Sequence, residues 1–145
     1  MSTKQFRVLV LSYVNCANFG DRLGSMLLHQ IIPPWVELFH SPLPPFWQSP
    51  PTDFDLVIIG TGHSVFQGTL NNKFLEFLEK IPVCIGIFGT QYRNLIDRES
   101  LKRLFGNINY WFARNADDID FVGEVDTEVT HLGDWLINAF PMTRW

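Results

Sequence analysis

"FRVLVLSYVNCANFGDRLGSMLLHQII", from Phe6 to Ile32, is the stretch whose reading decides the fold. Its first eight residues, Phe6 to Tyr13, are rich in β-branched and aromatic side chains and almost continuously apolar, the pattern of a central strand covered on both faces. From Asp21 onward the apolar positions Leu23, Met26, Leu27 and Ile31 recur at helical spacing until Pro33-Pro34 stops them. Asp21 is expected to cap this helix or to stand just before it. Between strand and helix lie two asparagines, two glycines and an aspartate in "NCANFGDRLG" (15–24). Small and polar residues at a strand-to-helix handover are what a ligand site requires, because backbone N–H groups at a helix start point outward there.

The same unit recurs along the chain. "WVELF" (35–39) reads as a short strand, and "HSPLPPFWQSPPTD" (40–53), with five prolines, as an irregular loop centred on residues 41–52. "FDLVIIGTG" (54–62) is a second apolar run that closes on glycines, and "NNKFLEFLEKI" (71–81) is a helix. "PVCIGIFGT" (82–90) repeats the design and precedes the helical "RESLKRLF" (98–105). "INYWFAR" (108–114) is expected as a strand, "NADDIDFVG" (115–123) as a short helix, "EVTHLGD" (128–134) as a last strand and "WLINAF" (135–140) as a helical end. Strands alternating with helices imply a parallel sheet, because parallel neighbours need a crossover that covers the sheet. The expected fold is therefore α/β: one domain over residues 1–145, a three-layer Rossmann-like or flavodoxin-like parallel sheet with helices on both faces.

Composition narrows the function. A chain of 145 residues, 46% hydrophobic, can bury one core, and a net charge of −4 without a basic cluster argues against nucleic acid as a partner. No apolar run is long enough to span a membrane, so a cytoplasmic protein is expected. Cys16 and Cys84 lack metal-type spacing and are expected to be unpaired. The five tryptophans exceed what a small core needs, and some are expected on a binding face.

In an open parallel sheet ligands bind outside the carboxyl ends of the strands. The candidates follow by position: Asn15, Asn18, Gly20 and Asp21 after the first strand; Gly60, Thr61, Gly62, His63 and Ser64 after the second long run; Gly89, Thr90 and Gln91 after the third; then Arg114, Asn115, Gly133 and Asp134. His63 suits a proton shuttle or a phosphate contact. Arg114 suits a carboxylate or phosphate, or else a structural pair with Asp117, Asp118 or Asp134. His29 and His40 are expected to be structural or merely solvated. Gly60-Thr61-Gly62 lacks the third glycine and the acidic residue of a dinucleotide fingerprint, and no metal-ligand cluster, serine elbow or phosphate-binding GK[ST] occurs.

These pieces, in order, resemble the polysaccharide pyruvyl transferases. "NFGDRLGSMLLHQII" is similar to that family's N-x-G-D opening and helix, "DLVIIGTGHSVFQG" to its D-x-V-I-x-G-G-G segment, "PVCIGIFGT" to its I-G-x-G strand, and "FARNADDIDFVGE…VTHLGDWLI" to its arginine-aspartate strand end and closing strand. Thr61 stands in place of the middle glycine and Asn115 in place of the aspartate. The resemblance covers the acceptor-side domain of a two-domain, GT-B-like transferase. It implies transfer of a pyruvyl group from phosphoenolpyruvate to a sugar or sugar-phosphate acceptor in surface-polysaccharide biosynthesis, with no cofactor. It further implies that Asn18, Gly20, Asp21, Gly60, Gly62 and Arg114 line the cleft, with Asp21 or His63 as the base. The donor-holding half would then come from a partner chain or from self-association. The alternative expectation is a non-catalytic carbohydrate-binding or scaffold domain that works through such association.

Overall fold

The computed structural model describes residues 5–13, 19–125 and 130–132. Six parallel strands form one sheet: β1 (Arg7–Leu11), β2 (Glu37–Ser41), β3 (Leu56–Val65), β4 (Cys84–Thr90), β5 (Tyr110–Trp111) and β6 (Thr130–His131), in the order β2-β1-β3-β4-β5-β6. Four helices connect them: α1 (Phe19–Ile31), α2 (Asn72–Glu79), α3 (Arg98–Gly106) and α4 (Ala116–Gly123). This is the α/β, flavodoxin-like order that the alternating pattern implies.

The order explains the layering. From β1 the chain steps outward to β2, then returns past β1 and builds in the opposite direction from β3 to β6. Right-handed crossovers stepping in opposite directions put their helices on opposite faces. Accordingly, Val8, Val10, Ile58 and Ile87 pack with Leu27 and Leu28 of α1 on one face. Leu9, Leu11, Val57, Ile59 and Phe88 pack with Phe74, Leu78, Leu101 and Phe105 of α2 and α3 on the other. The continuous apolarity of β1 thus resolves into two alternating sets, each with its own helical cover. Trp111 anchors the second core: it is buried, donates its indole N–H to the Phe88 carbonyl at 2.9 Å and meets the Phe105 ring edge to face.

Side-chain caps start three of the helices: Asn71 for α2, Asp97 for α3 and Asn115 for α4 each accept backbone N–H groups of the first turn. Two boundaries differ from expectation. α1 begins at Phe19, so Gly20 and Asp21 lie inside its first turn and Asp21 is not its cap. β3 does not end at Gly62 but runs on to Val65. It does so because its register against β4 slips twice, between Gly60 and Gly62 and again before Val65, and each slip absorbs one extra residue as a bulge. The strand expected over 108–114 shortens to Tyr110–Trp111. Residues 42–55 form no helix or strand, as their prolines dictate, and the Pro44-Pro45 peptide is cis. The helical end expected at 135–140 lies outside the described residues.

Candidate functional site

All six strands point the same way, so the segments that follow β1, β3, β4, β5 and β6 leave from one edge of the sheet. The direction of construction reverses between β1 and β3, and at such a switch point adjacent connections diverge to opposite faces and leave a crevice. Gly60 and Gly62 sit on the β3 side of that crevice, at φ 153° and 86°. Only glycine adopts these angles without strain. At Gly60 the neighbouring strand forbids a side chain as well, since a Cβ would stand 2.5 Å from the Ile87 carbonyl oxygen. The two bulges at the end of β3 therefore rest on glycines, with Thr61 between them and His63 to Val65 beyond.

On the β1 side, Ser12 is buried, and its hydroxyl has no hydrogen-bond partner among the described residues. Tyr13 follows it. Its hydroxyl donates to the Pro44 carbonyl and lies 3.3 Å from the Thr69 hydroxyl. Thr69 in turn donates to the Ser64 carbonyl at 2.9 Å and accepts from the Phe66 N–H. One network thus ties together the end of β1, the proline-rich loop and the end of β3. Neither of its hydroxyl members, Tyr13 and Thr69, stands among the sequence candidates, and Tyr13 reads in sequence only as the last aromatic of a strand; Ser64, which does, joins through its backbone carbonyl.

The end of β4 is built differently. Thr90 is buried and its polar groups turn inward: its N–H and its hydroxyl both donate to one carboxylate oxygen of Asp118, at 2.8 and 2.7 Å. Arg93 adds a guanidinium N–H to the same oxygen at 3.0 Å and another to the Thr90 hydroxyl. Thr90, expected as a ligand group, therefore spends its hydroxyl on joining β4 to α4. Asn115 caps α4 by accepting the Asp118 N–H at 3.0 Å. Arg114 is half-buried, and among the described residues no ion pair joins it to Asp117 or Asp118. Among the described residues Asp118 pairs with Arg93 instead.

Of the other expected site residues, Gly20 and Asp21 stand in the first turn of α1, after the end of β1, and His63 lies within the extended part of β3. Asn15, Asn18 and Asp134 lie outside the described residues. His131 ends β6 and is exposed. The backbone thus places Gly20, Asp21, Gly60, Gly62 and His63 around one switch point, while Thr90 and Arg114 belong to the adjoining β4 and β5 ends.

Away from this edge, His29 and His40 are not separately solvated. They meet, with Nε2 atoms 2.8 Å apart. Partial burial, with the nearby His29 ring adding to it, holds the His40 pKa below the ordinary histidine value. Among the tryptophans, Trp111 is core, Trp47 packs on Phe74 and Phe77, and Trp35 is exposed.

No known family model matches the chain, and neither a curated protein nor a solved structure does. Among the described residues no helix is long and apolar enough to cross a membrane.

Proposed function

We propose that the chain is a pyruvyl-transferase-like domain that binds a sugar or sugar-phosphate acceptor in the crevice between the ends of β1 and β3. The observation that carries this reading is the doubly bulged end of β3 at Gly60 and Gly62, set at the switch point beside the strand that leads into α1. A polyhydroxylated ligand needs backbone N–H and carbonyl groups, and a bulge takes such groups out of the strand ladder. An anionic substituent on it gains from a helix start. In this reading Asp21 or His63 takes the proton of the attacking hydroxyl, which bonds to C2 of phosphoenolpyruvate as C3 gains a proton and becomes a methyl group, and a second acceptor hydroxyl then displaces phosphate from C2 to close the ketal. Arg114, at the β5 end, orients an anionic group.

A second reading is a non-catalytic carbohydrate-binding domain. It is favoured by the exposed Phe46 and Tyr92, both in segments that leave strands at this same edge, because flat aromatic side chains stack on sugar rings and also serve self-association.

Thermal unfolding of the chain with phosphoenolpyruvate, with nucleotide sugars and with sugar phosphates tests both. Saturable stabilisation by phosphoenolpyruvate together with a sugar supports the transferase. Stabilisation by sugars alone supports the binding domain, and no shift with any of them counts against both. Asp21→Ala then separates a ligand role from a structural one: binding is lost while stability falls by less than about 1 kcal/mol, the scale of a helix-start charge.

A further inference from the structure

α1 and β2 bring together two histidines that the strand-end crevice does not use. His29 lies in the last turn of α1 and His40 on β2, which is the edge strand and pairs only with β1. Leu38, on the same face of β2 as His40, packs in the α1-side core with Leu28, so helix and strand hold each other in place just beside the pair. The two rings lie with centroids 4.8 Å apart and planes 31° from parallel, and their Nε2 atoms are 2.8 Å apart. Both residues are exposed, so an ion reaches them from solvent.

We propose that His29 and His40 form a surface site for a divalent transition-metal ion, copper(II) or nickel(II), bound through the two Nε2 atoms in adjacent coordination positions. Two imidazole nitrogens each about 2.0–2.1 Å from one ion stand roughly 2.9 Å apart at a right angle and roughly 3.4 Å apart at the tetrahedral angle. The observed 2.8 Å is the length of the hydrogen bond between the rings, and from it the two nitrogens reach adjacent positions around one ion with little movement. Copper(II) and nickel(II) are the class because imidazole suits both and copper(II) stands highest in divalent affinity. Among the described residues no group of three histidine, cysteine, aspartate or glutamate side chains converges, so water fills the other positions and the site is a two-point chelate. Without metal, one ring donates its Nε2–H to the other. Binding needs both Nε2 lone pairs, so the donor ring moves its proton to Nδ1 through solvent and two neutral imidazoles ligate with no net proton loss. The bound ion then clamps the last turn of α1 to the open edge of the sheet.

The test uses the tag-free chain with Cys16→Ser, which removes a competing thiol. It is titrated with nickel(II) and copper(II) by calorimetry and by thermal unfolding, alongside His29→Gln, His40→Gln and the double variant. One ion per chain, a rise in the unfolding temperature, and loss of both in each single variant are expected, with two equivalent nitrogen couplings in the copper(II) electron paramagnetic resonance spectrum. Retained binding in the double variant would place the ion on another group such as His63 or His131 and overturn the proposal. A single-nitrogen copper spectrum from the parent chain would overturn it equally, and this readout stands even where a variant fails to fold.

Discussion

Asp118 and Thr90 share one carboxylate oxygen across two hydrogen bonds, 2.8 Å from the Thr90 N–H and 2.7 Å from its hydroxyl, with Asp118 fully buried in the first turn of α4. The contact fastens the last helix described to the middle of the sheet. A buried carboxylate is tolerated only where donors surround it. Here the donors among the described residues are the N–H and hydroxyl of Thr90 in β4 and the guanidinium of Arg93 in the turn after it.

Asp118→Ala strands those donors and is expected to cost about 3–5 kcal/mol, the range for breaking a buried charged pair. Arg93→Ala should cost much less, about 1 kcal/mol, because its side chain is a third exposed and solvent replaces part of the interaction. Thr90→Val removes one of the two bonds and falls between. Urea unfolding of the three variants ranks them, and equal losses for Arg93→Ala and Asp118→Ala would refute the assignment of Asp118 as the hub.

Two glycines are expected to respond with opposite signs. Gly60→Ala places a methyl group against the Ile87 carbonyl at a φ of 153°, so strain and overpacking should together cost about 2 kcal/mol or more. Gly106, at the end of α3, has nothing within 4 Å of a would-be Cβ. Gly106→Ala is expected to gain about 0.5–1 kcal/mol by restricting the unfolded chain. Chemical denaturation of the pair checks both signs.

Cys84 begins β4 in the second core, and burial pushes its thiol up to about 12. The folded pKa exceeds the unfolded one, so the stabilisation is complete below the ordinary thiol value near 9 and is lost as pH rises from there toward 12. In a Cys16→Ser background, Cys84→Ala should flatten this alkaline decline, although it lowers stability at pH 7 by leaving a small cavity. The Cys84 thiol should resist a disulfide reagent at pH 8 until denaturant is added. Fast labelling of the folded chain would contradict its burial.

The fold was legible because its signals are local and repeated. An apolar run, a glycine or polar turn and a helical period recur, and the parallel sheet follows from the length of the crossovers. What escaped depends on pairing between distant segments. Gly60 and Gly62 read as the end of a strand, whereas the register against Ile87 and Phe88 turns them into bulges inside it. Arg93 and Asp118 are 25 residues apart and carry no motif; only the placement of α4 over the end of β4 makes them partners. His29 and His40 each look solvated when considered singly, and their pairing needs α1 packed beside β2. Of the candidate site, the edge and its glycines were legible, while the hydroxyl network of Tyr13 and Thr69 beside it was not.

Arg7 supplies a last test of packing against charge. Its guanidinium lies 4.7 Å from the centre of the Phe39 ring and 5.1 Å from that of Phe54, with Glu37 and Asp53 as ionic partners. Both carboxylates are substantially exposed, so their attraction is weak and screened by salt, whereas contact with the two aromatic faces is shielded from water. Arg7→Ala should therefore cost about 1–2 kcal/mol. Most of that loss should persist at high salt, and Arg7→Lys, which keeps the charge but loses the planar stack, should recover only part of it. Unfolding measured at low and high ionic strength separates the two contributions, and a loss that vanishes in salt would assign Arg7 to its carboxylates instead.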